Sequence, residues 1–315
     1  MIEVNSYLKP KTVEEAIAFA QDNRQSFRYI SGGTDFLVNK FQGNEKPACI
    51  IDLSGIEDLH NINRAGGLMH IGSMLRLEEL SQNKIILDKF PALIEAIQSI
   101  ATPMIRKTAT VGGNLLCENR CAFYNQSEWW RDAIGYCLKC DGDICIATGG
   151  KKNCFSKFSS DLAPLLISLD ATINIIDHNG GFICALEDIY TGNGLTPRKL
   201  ENSSILTAIH LPLVNNYTSV FKKLRTRNSL DFTSLTTAVS MNDGGKIKIV
   251  IGGVDPKPIV VRCSKKDDTT EVIAQTIKKA RIVENDIFSR SYRKEMIKVF
   301  LTQSFEELEM TPAPK

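Results

Sequence analysis

Six of the nine cysteines, Cys117, Cys121, Cys137, Cys140, Cys145 and Cys154, fall within one 38-residue stretch of a 315-residue chain. Thiolates gathered at that density oxidise to disulfides, hold a metal ion, or hold an iron–sulfur cluster. Cys137-Leu-Lys-Cys140 is by spacing a zinc-type pair. A second close pair is missing, because Cys145 and Cys154 stand nine apart and the segment contains no histidine. The other chemistry-bearing features are two glycine pairs, Ser31-Gly32-Gly33-Thr34-Asp35 and Thr110-Val111-Gly112-Gly113-Asn114. Glycine permits positive φ and a close approach of backbone N–H groups to an anion, so two such turns can grip a diphosphate. Neither pair has the Gly-x-Gly-x-x-Gly spacing of a Rossmann site, which argues against a conventional nicotinamide or flavin fold, and either alone is more often an ordinary turn.

Composition narrows the choice. The formal charge of +2, from 38 basic against 36 acidic residues, offers no footprint for nucleic acid or an anionic membrane. No apolar run approaches the roughly 18 residues that span a bilayer, and the N-terminus lacks a secretory pattern, so the chain is expected to be cytoplasmic. In that reducing compartment disulfides are disfavoured, and metal or cluster ligation gains accordingly.

The elements that must position these residues read as an alternation. Thr12-Val-Glu-Glu15 is a capping box opening a helix through about Asp22. A strand at Arg28 to Ile30 runs into the first glycine turn, followed by a helix over Phe36 to Phe41. Strands are expected at Cys49 to Leu53 and Leu68 to Ile71, with a helix from Leu93 to Ile100. Hairpins follow around His178-Asn-Gly-Gly181 and Asp243-Gly-Gly245. The pattern from about Thr269 to Leu301 is helical. A polar linker near Pro212 to Thr218 divides the chain into residues 1–214, carrying an insertion at about 117–158, and a C-terminal α+β domain at 215–305. Residues 306–315 are expected to be a disordered tail.

The motifs carry a family resemblance. Ser-Gly-Gly-Thr-Asp-Phe-Leu at 31–37, Thr-Ala-Thr-Val-Gly-Gly-Asn-Leu at 108–115, Asp161-Leu-Ala-Pro-Leu-Leu-Ile-Ser-Leu-Asp-Ala171 and Lys223-x-x-x-Arg227-x-x-x-Asp231 resemble the successive motifs of FAD-binding subunits in the xanthine dehydrogenase and carbon monoxide dehydrogenase family. The resemblance implies an α+β chain: an FAD-binding fold of the vanillyl-alcohol oxidase (PCMH) type in two subdomains, followed by a C-terminal α+β domain of the CO dehydrogenase flavoprotein type. The implied FAD contacts are Ile30, Ser31, Gly32, Gly33, Thr34, Asp35, Thr102, Thr110, Gly112, Gly113, Asn114, Asp161 and Lys223. Both glycine turns would grip the diphosphate, with Thr34 and Asn114 assisting. Asp161 would bond ribityl or sugar hydroxyls, and Lys223 would place a cation near the cofactor. Without the motif, Lys223 reads as a solvated strand-edge lysine.

The segment between the second glycine turn and Asp161 is similar to the insertion of the β subunits of 4-hydroxybenzoyl-CoA reductases, on the match Arg120-Cys-x-Phe-Tyr-Asn-Gln-Ser-Glu-Trp-Trp-Arg131. That resemblance implies a 4Fe-4S cluster on Cys121, Cys137, Cys145 and Cys154, with Cys117 and Cys140 surplus, and it reverses the preference for zinc. Trp129 and Trp130 would shield the cluster or pack the insertion onto the body of the domain. The implied partners are a molybdopterin-binding large subunit, a 2Fe-2S small subunit and a ferredoxin donor. The implied reaction is reductive dehydroxylation of 4-hydroxybenzoyl-CoA, with no substrate-converting residue in this chain. An oxidative molybdenum hydroxylase is the alternative among enzymes, and a zinc-bearing scaffold or assembly protein is the alternative of another class.

Overall fold

In the structure, a computed structural model, residues 6–227 and 231–310 are described. The chain opens with β1 (Ser6–Leu8), α1 (Val13–Asp22), β2 (Phe27–Ile30), α2 (Phe36–Phe41) and β3 (Cys49–Asp52). The three strands form a parallel sheet in the order β1-β3-β2. Helix α1 starts where Thr12 Oγ1 accepts the Glu15 N–H at 3.1 Å and the Glu15 carboxylate accepts the Lys11 N–H at 2.6 Å. Its buried face, Val13, Ala16, Ile17 and Ala20, follows the helical period and joins one apolar cluster with Phe27, Cys49 and Ile51. The first glycine loop therefore emerges at the carboxyl end of a parallel strand, where open α/β sheets bind ligands.

A hairpin of β4 (Ile62–Ala65) and β5 (Leu68–Gly72) is followed by five short helices: α3 (Leu77–Ser81), α4 (Lys84–Lys89), α5 (Pro91–Gln98), α6 (Pro103–Arg106) and α7 (Val111–Leu115). Beyond the cysteine segment, which contains α8 (Glu128–Ile134), come α9 (Leu162–Ser168), β6 (Thr172–Asp177), β7 (Gly180–Ala185) and β8 (Ile205–Pro212). The strands make a five-stranded antiparallel sheet in the order β4-β5-β8-β6-β7. Every residue of α9 is buried.

The remainder is a four-stranded antiparallel sheet, order β12-β11-β10-β9, of β9 (Tyr217–Leu224), β10 (Leu235–Asn242), β11 (Lys246–Gly252) and β12 (Ile259–Ser264). Helix α11 (Arg290–Met310) packs on β9, β10 and α10 (Thr269–Lys279), while α9 meets β10 and β11 and α5 meets β9.

Three expectations are corrected. The stretch 212–218 is not a free polar linker: β8 runs to Pro212 and β9 starts at Tyr217, and Leu213 between them is buried with its N–H on the Gly67 carbonyl at 2.8 Å. The C-terminal helical run is two helices, separated at 280–289. The tail is ordered through Met310, because Phe305 and Leu308 are buried in the apolar cluster of the last sheet, and only 311–315 lie outside the described residues.

Candidate functional site

A cleft of about 500 Å³, within the range of small-ligand sites, is lined by Ile30 through Asp35, by Thr110, Gly112, Gly113 and Asn114, and by Asp161. The two glycine segments reach it by different means. Gly33 takes φ +70°, a conformation that glycine adopts without strain. Gly32 lies so close to the 108–109 backbone that a Cβ would sit 2.0 Å from the Thr108 carbonyl oxygen. The second pair is not a turn but the interior of α7, and neither of its glycines has positive φ. Gly112 is needed for proximity instead: its N–H donates to the Ser73 carbonyl at 2.8 Å, and a Cβ there would meet Ser73 at 2.8 Å. Thr110 Oγ1 accepts the Gly113 N–H at 3.0 Å and donates to Ser31 Oγ at 3.1 Å, tying the two segments together across the cleft.

Asn114 lines the cleft and is pinned to the start of α9, its Oδ1 accepting Ser160 Oγ–H at 2.8 Å and Leu162 N–H at 3.3 Å. Asp161 also lines it, but its carboxylate is already engaged, by Lys223 Nζ at 2.6 Å and by Thr236 Oγ1 at 3.2 Å. Burial pushes the Asp161 carboxyl upward, and the charge of Lys223 and the bonds from Lys223 and Thr236 pull the other way. Lys223 is not a cleft residue: its side chain is only 4% exposed and it also donates to the Ser99 carbonyl at 2.9 Å. Nor does Thr102 face the cleft; it caps α6, accepting the Ile105 N–H at 3.3 Å. Sequence reasoning missed Arg120, Ser159 and Phe232 in the lining, and it treated Cys117, which is also there, as a bystander of the cysteine group.

A separate small cavity is lined by Cys121, Cys137, Cys145 and Cys154 together with Phe123, Tyr124, Leu138, Lys139, Ile146 and Ala147. All four cysteines are buried and unbridged. Cys140 lies outside the lining, although its backbone N–H donates to the Cys137 carbonyl at 2.7 Å. A hydrogen bond from Cys140 draws the Cys137 thiol down to about 6, and burial pushes Cys121 up to about 11. Among the described residues no group of three or more His, Cys, Asp or Glu is arranged to hold a metal ion. Tetrahedral zinc, with Zn–S bonds of about 2.3 Å, draws its sulfurs to roughly 3.8 Å from one another. The four thiols line one cavity without being drawn together in that way. Neither tryptophan lines the nest; Trp129 is 78% exposed and Trp130 is half-buried.

The two cavities share a wall, residues 117–121. Cys117 and Arg120 face the cleft, and Cys121 faces the cysteine nest. Arg120 is ion-paired with Asp35 of the first glycine loop, and Asp35 also accepts the Glu118 N–H at 3.1 Å. The Glu118 carboxylate in turn meets Lys139 at 3.0 Å and Arg198 at 2.6 Å. Burial acts to raise Glu118, but the two cations overcome it and hold the carboxyl at about 2. The neck of the cysteine segment is a two-way backbone bridge, Arg120 N–H to the Lys157 carbonyl at 2.9 Å and Lys157 N–H to the Arg120 carbonyl at 2.8 Å. Lys157 is ion-paired beyond it with buried Asp286.

Comparison with known proteins gives three findings. The family described as "FAD binding domain in molybdopterin dehydrogenase" matches residues 2–214. The chain is 28% identical over 263 residues to the aldehyde oxidoreductase FAD-binding subunit PaoB of Escherichia coli strain K12, covering 80% of this chain and 82% of that one. It is 30% identical over 255 residues to the carbon monoxide dehydrogenase medium chain of Hydrogenophaga pseudoflava, covering 79% and 75%. Among solved structures, a chain of quinoline 2-oxidoreductase from Pseudomonas putida 86 superposes with a TM-score of 0.72 at 19% identity, over 98% of this chain and 97% of that one.

Proposed function

Because this chain belongs to the family of FAD-binding domains of molybdopterin dehydrogenases, we propose that it binds FAD in the 500 Å³ cleft and an iron–sulfur cluster of the 4Fe-4S type in the cysteine nest. The single observation that supports the proposal is the wall at 117–121 that the two cavities share. Bound there, FAD exchanges electrons singly or in pairs and a cluster exchanges them one at a time.

The residues fit both groups. Ile30 to Asp35 and Thr110 to Asn114 present glycine backbone and hydroxyl groups to a diphosphate from two sides. Asp161 lines the cleft held by its ion pair with buried Lys223, which acts from behind, as does Thr102 through its helix cap. Cys121, Cys137, Cys145 and Cys154 supply four thiolates, while Phe123, Tyr124 and Ile146 keep water from them. The zinc-scaffold reading is disfavoured because the segment offers neither a second close cysteine pair nor a histidine.

In this reading the partners are a molybdopterin-binding large subunit, a 2Fe-2S small subunit and a ferredoxin donor. The complex reductively dehydroxylates 4-hydroxybenzoyl-CoA, a direction motivated by the cysteine insertion and its resemblance to that of the reductases. The second reading is an oxidative hydroxylase delivering electrons to an external acceptor; it is favoured by the aldehyde oxidoreductase and carbon monoxide dehydrogenase relatives. Iron, sulfide, zinc and flavin are to be measured on anaerobically purified protein. Stoichiometric flavin with four irons and four sulfides is expected; zinc without flavin would sink the proposal. Assaying the assembled complex for 4-hydroxybenzoyl-CoA reduction by ferredoxin, against aldehyde and purine oxidation by dyes, decides the direction.

A further inference from the structure

We infer that Arg120 couples the two sites, so that filling the cysteine nest tightens dinucleotide binding in the cleft. The inference rests on the proposed function and adds to it a positioning residue and a linkage.

Arg120 is held from four directions. Its guanidinium is ion-paired with Asp35 of the first glycine loop, donates to Asn39 Oδ1 of α2 at 3.3 Å, and lies 4.8 Å above the ring of Phe232. Its backbone makes the two-way bridge to Lys157 at the neck of the cysteine segment. The side chain is only 7% exposed, yet it lines the cleft and, among the described residues, its Nε–H has no hydrogen-bond partner. A buried idle donor in the wall of a cavity is costly until an acceptor reaches it, and a dinucleotide carries acceptor oxygens throughout.

The next residue, Cys121, lines the nest. Whatever fixes Cys121 fixes the backbone that carries Arg120, and through Asp35 it fixes the glycine loop. A linkage of this kind is reciprocal, with an ordinary size of about 5- to 150-fold in affinity. Only a guanidinium can bridge in this way, since lysine would keep the charge but offers no planar fork with a spare Nε–H.

The test is a cycle of FAD dissociation constants measured by flavin fluorescence under anaerobic conditions. The four proteins are wild type, Cys145→Ala, Arg120→Gln and the double variant; Cys145 is chosen because it empties the nest far along the chain from Arg120. Cys145→Ala is expected to weaken FAD binding about tenfold in the wild-type background, and by less than twofold when Arg120 is glutamine. A merely structural Arg120 would lower affinity in both backgrounds alike and leave the tenfold ratio in place, which would overturn the inference. Arg120→Lys guards against misfolding of the glutamine variant: it is expected to retain the wild-type melting temperature while losing most of the coupling, and full coupling in it would also overturn the inference. Wild-type protein that binds no flavin would overturn the functional reading, whereas flavin binding with unchanged affinity in Cys145→Ala would overturn the coupling alone.

Discussion

Asp161, at the start of α9, and Lys223, on β9, are buried at 7% and 4% side-chain exposure and form an ion pair. Such a pair adds little by itself, but removing one partner strands the other without water, at about 3–5 kcal/mol. Asp161→Asn or Lys223→Met should each lower the denaturant midpoint accordingly, and the double variant should recover a large part of the loss; additive losses would show that the pair is not coupled. Glu118 gives a pH-dependent prediction. Its carboxyl is held at about 2, below the ordinary 4.5, so its stabilisation is fully present above about pH 5 and is lost as pH falls toward 2. That amounts to on the order of 3 kcal/mol. The stability gap between wild type and Glu118→Gln should be widest at pH 6 and narrow steadily below pH 4.5 in equilibrium unfolding. At this scale the cysteines and glycines were legible because their types are unusual at such density. Arg120 was not: a lone arginine in a polar segment reads as solvated, and only the fold reveals that Asp35 and Phe232 enclose it.

At the scale of elements, Gly32 and Gly113 make unequal demands. A methyl group on Gly32 would collide with backbone at 2.0 Å, whereas on Gly113 it would meet two hydroxyl oxygens, of Ser31 and Thr110, at 2.8 Å. Gly32→Ala should therefore cost tenfold or more in FAD affinity, about 1.4 kcal/mol, and Gly113→Ala less, as read from flavin retained through gel filtration. A reversed order would mean that the second segment, not the first, sets the cleft. Strands with turn signals beside them were readable, as at Gly180–Ala185 and Lys246–Gly252. Strand β8 escaped because it is buried almost throughout and shows neither alternation nor a turn, and α7 escaped because two adjacent glycines argue against a helix that Thr110 nonetheless caps.

At the scale of the molecule, the apolar core does not respect the boundary at residue 214. Phe221, Ala238 and Val250, from the last sheet, belong to the same buried cluster as Leu93 of α5 and Leu166 of α9. Calorimetry should accordingly show one unfolding transition, and residues 1–214 expressed alone should aggregate with exposed apolar surface. Two separated transitions would contradict the shared core. The change of pattern along the sequence suggests a division near residue 214, and the packing across it is close. That closeness was not legible, because contacts such as Asp161 with Lys223 span 62 positions and leave no local trace.

The double bridge between Arg120 and Lys157 also bears on how such a chain is put together. Residues paired in this way stand about 5.5 Å apart at Cα, so the chain between them departs and returns through a single doorway, while Arg131 and Cys154 bond back to Gln42 and Asn193 of the body. A cassette with one doorway can be gained or discarded without re-threading its host. Replacing residues 121–156 by Asn-Gly should close the gap as a tight hairpin, giving a folded flavoprotein without the proposed cluster site, and the same stretch should be transplantable onto a host whose ends are equally close.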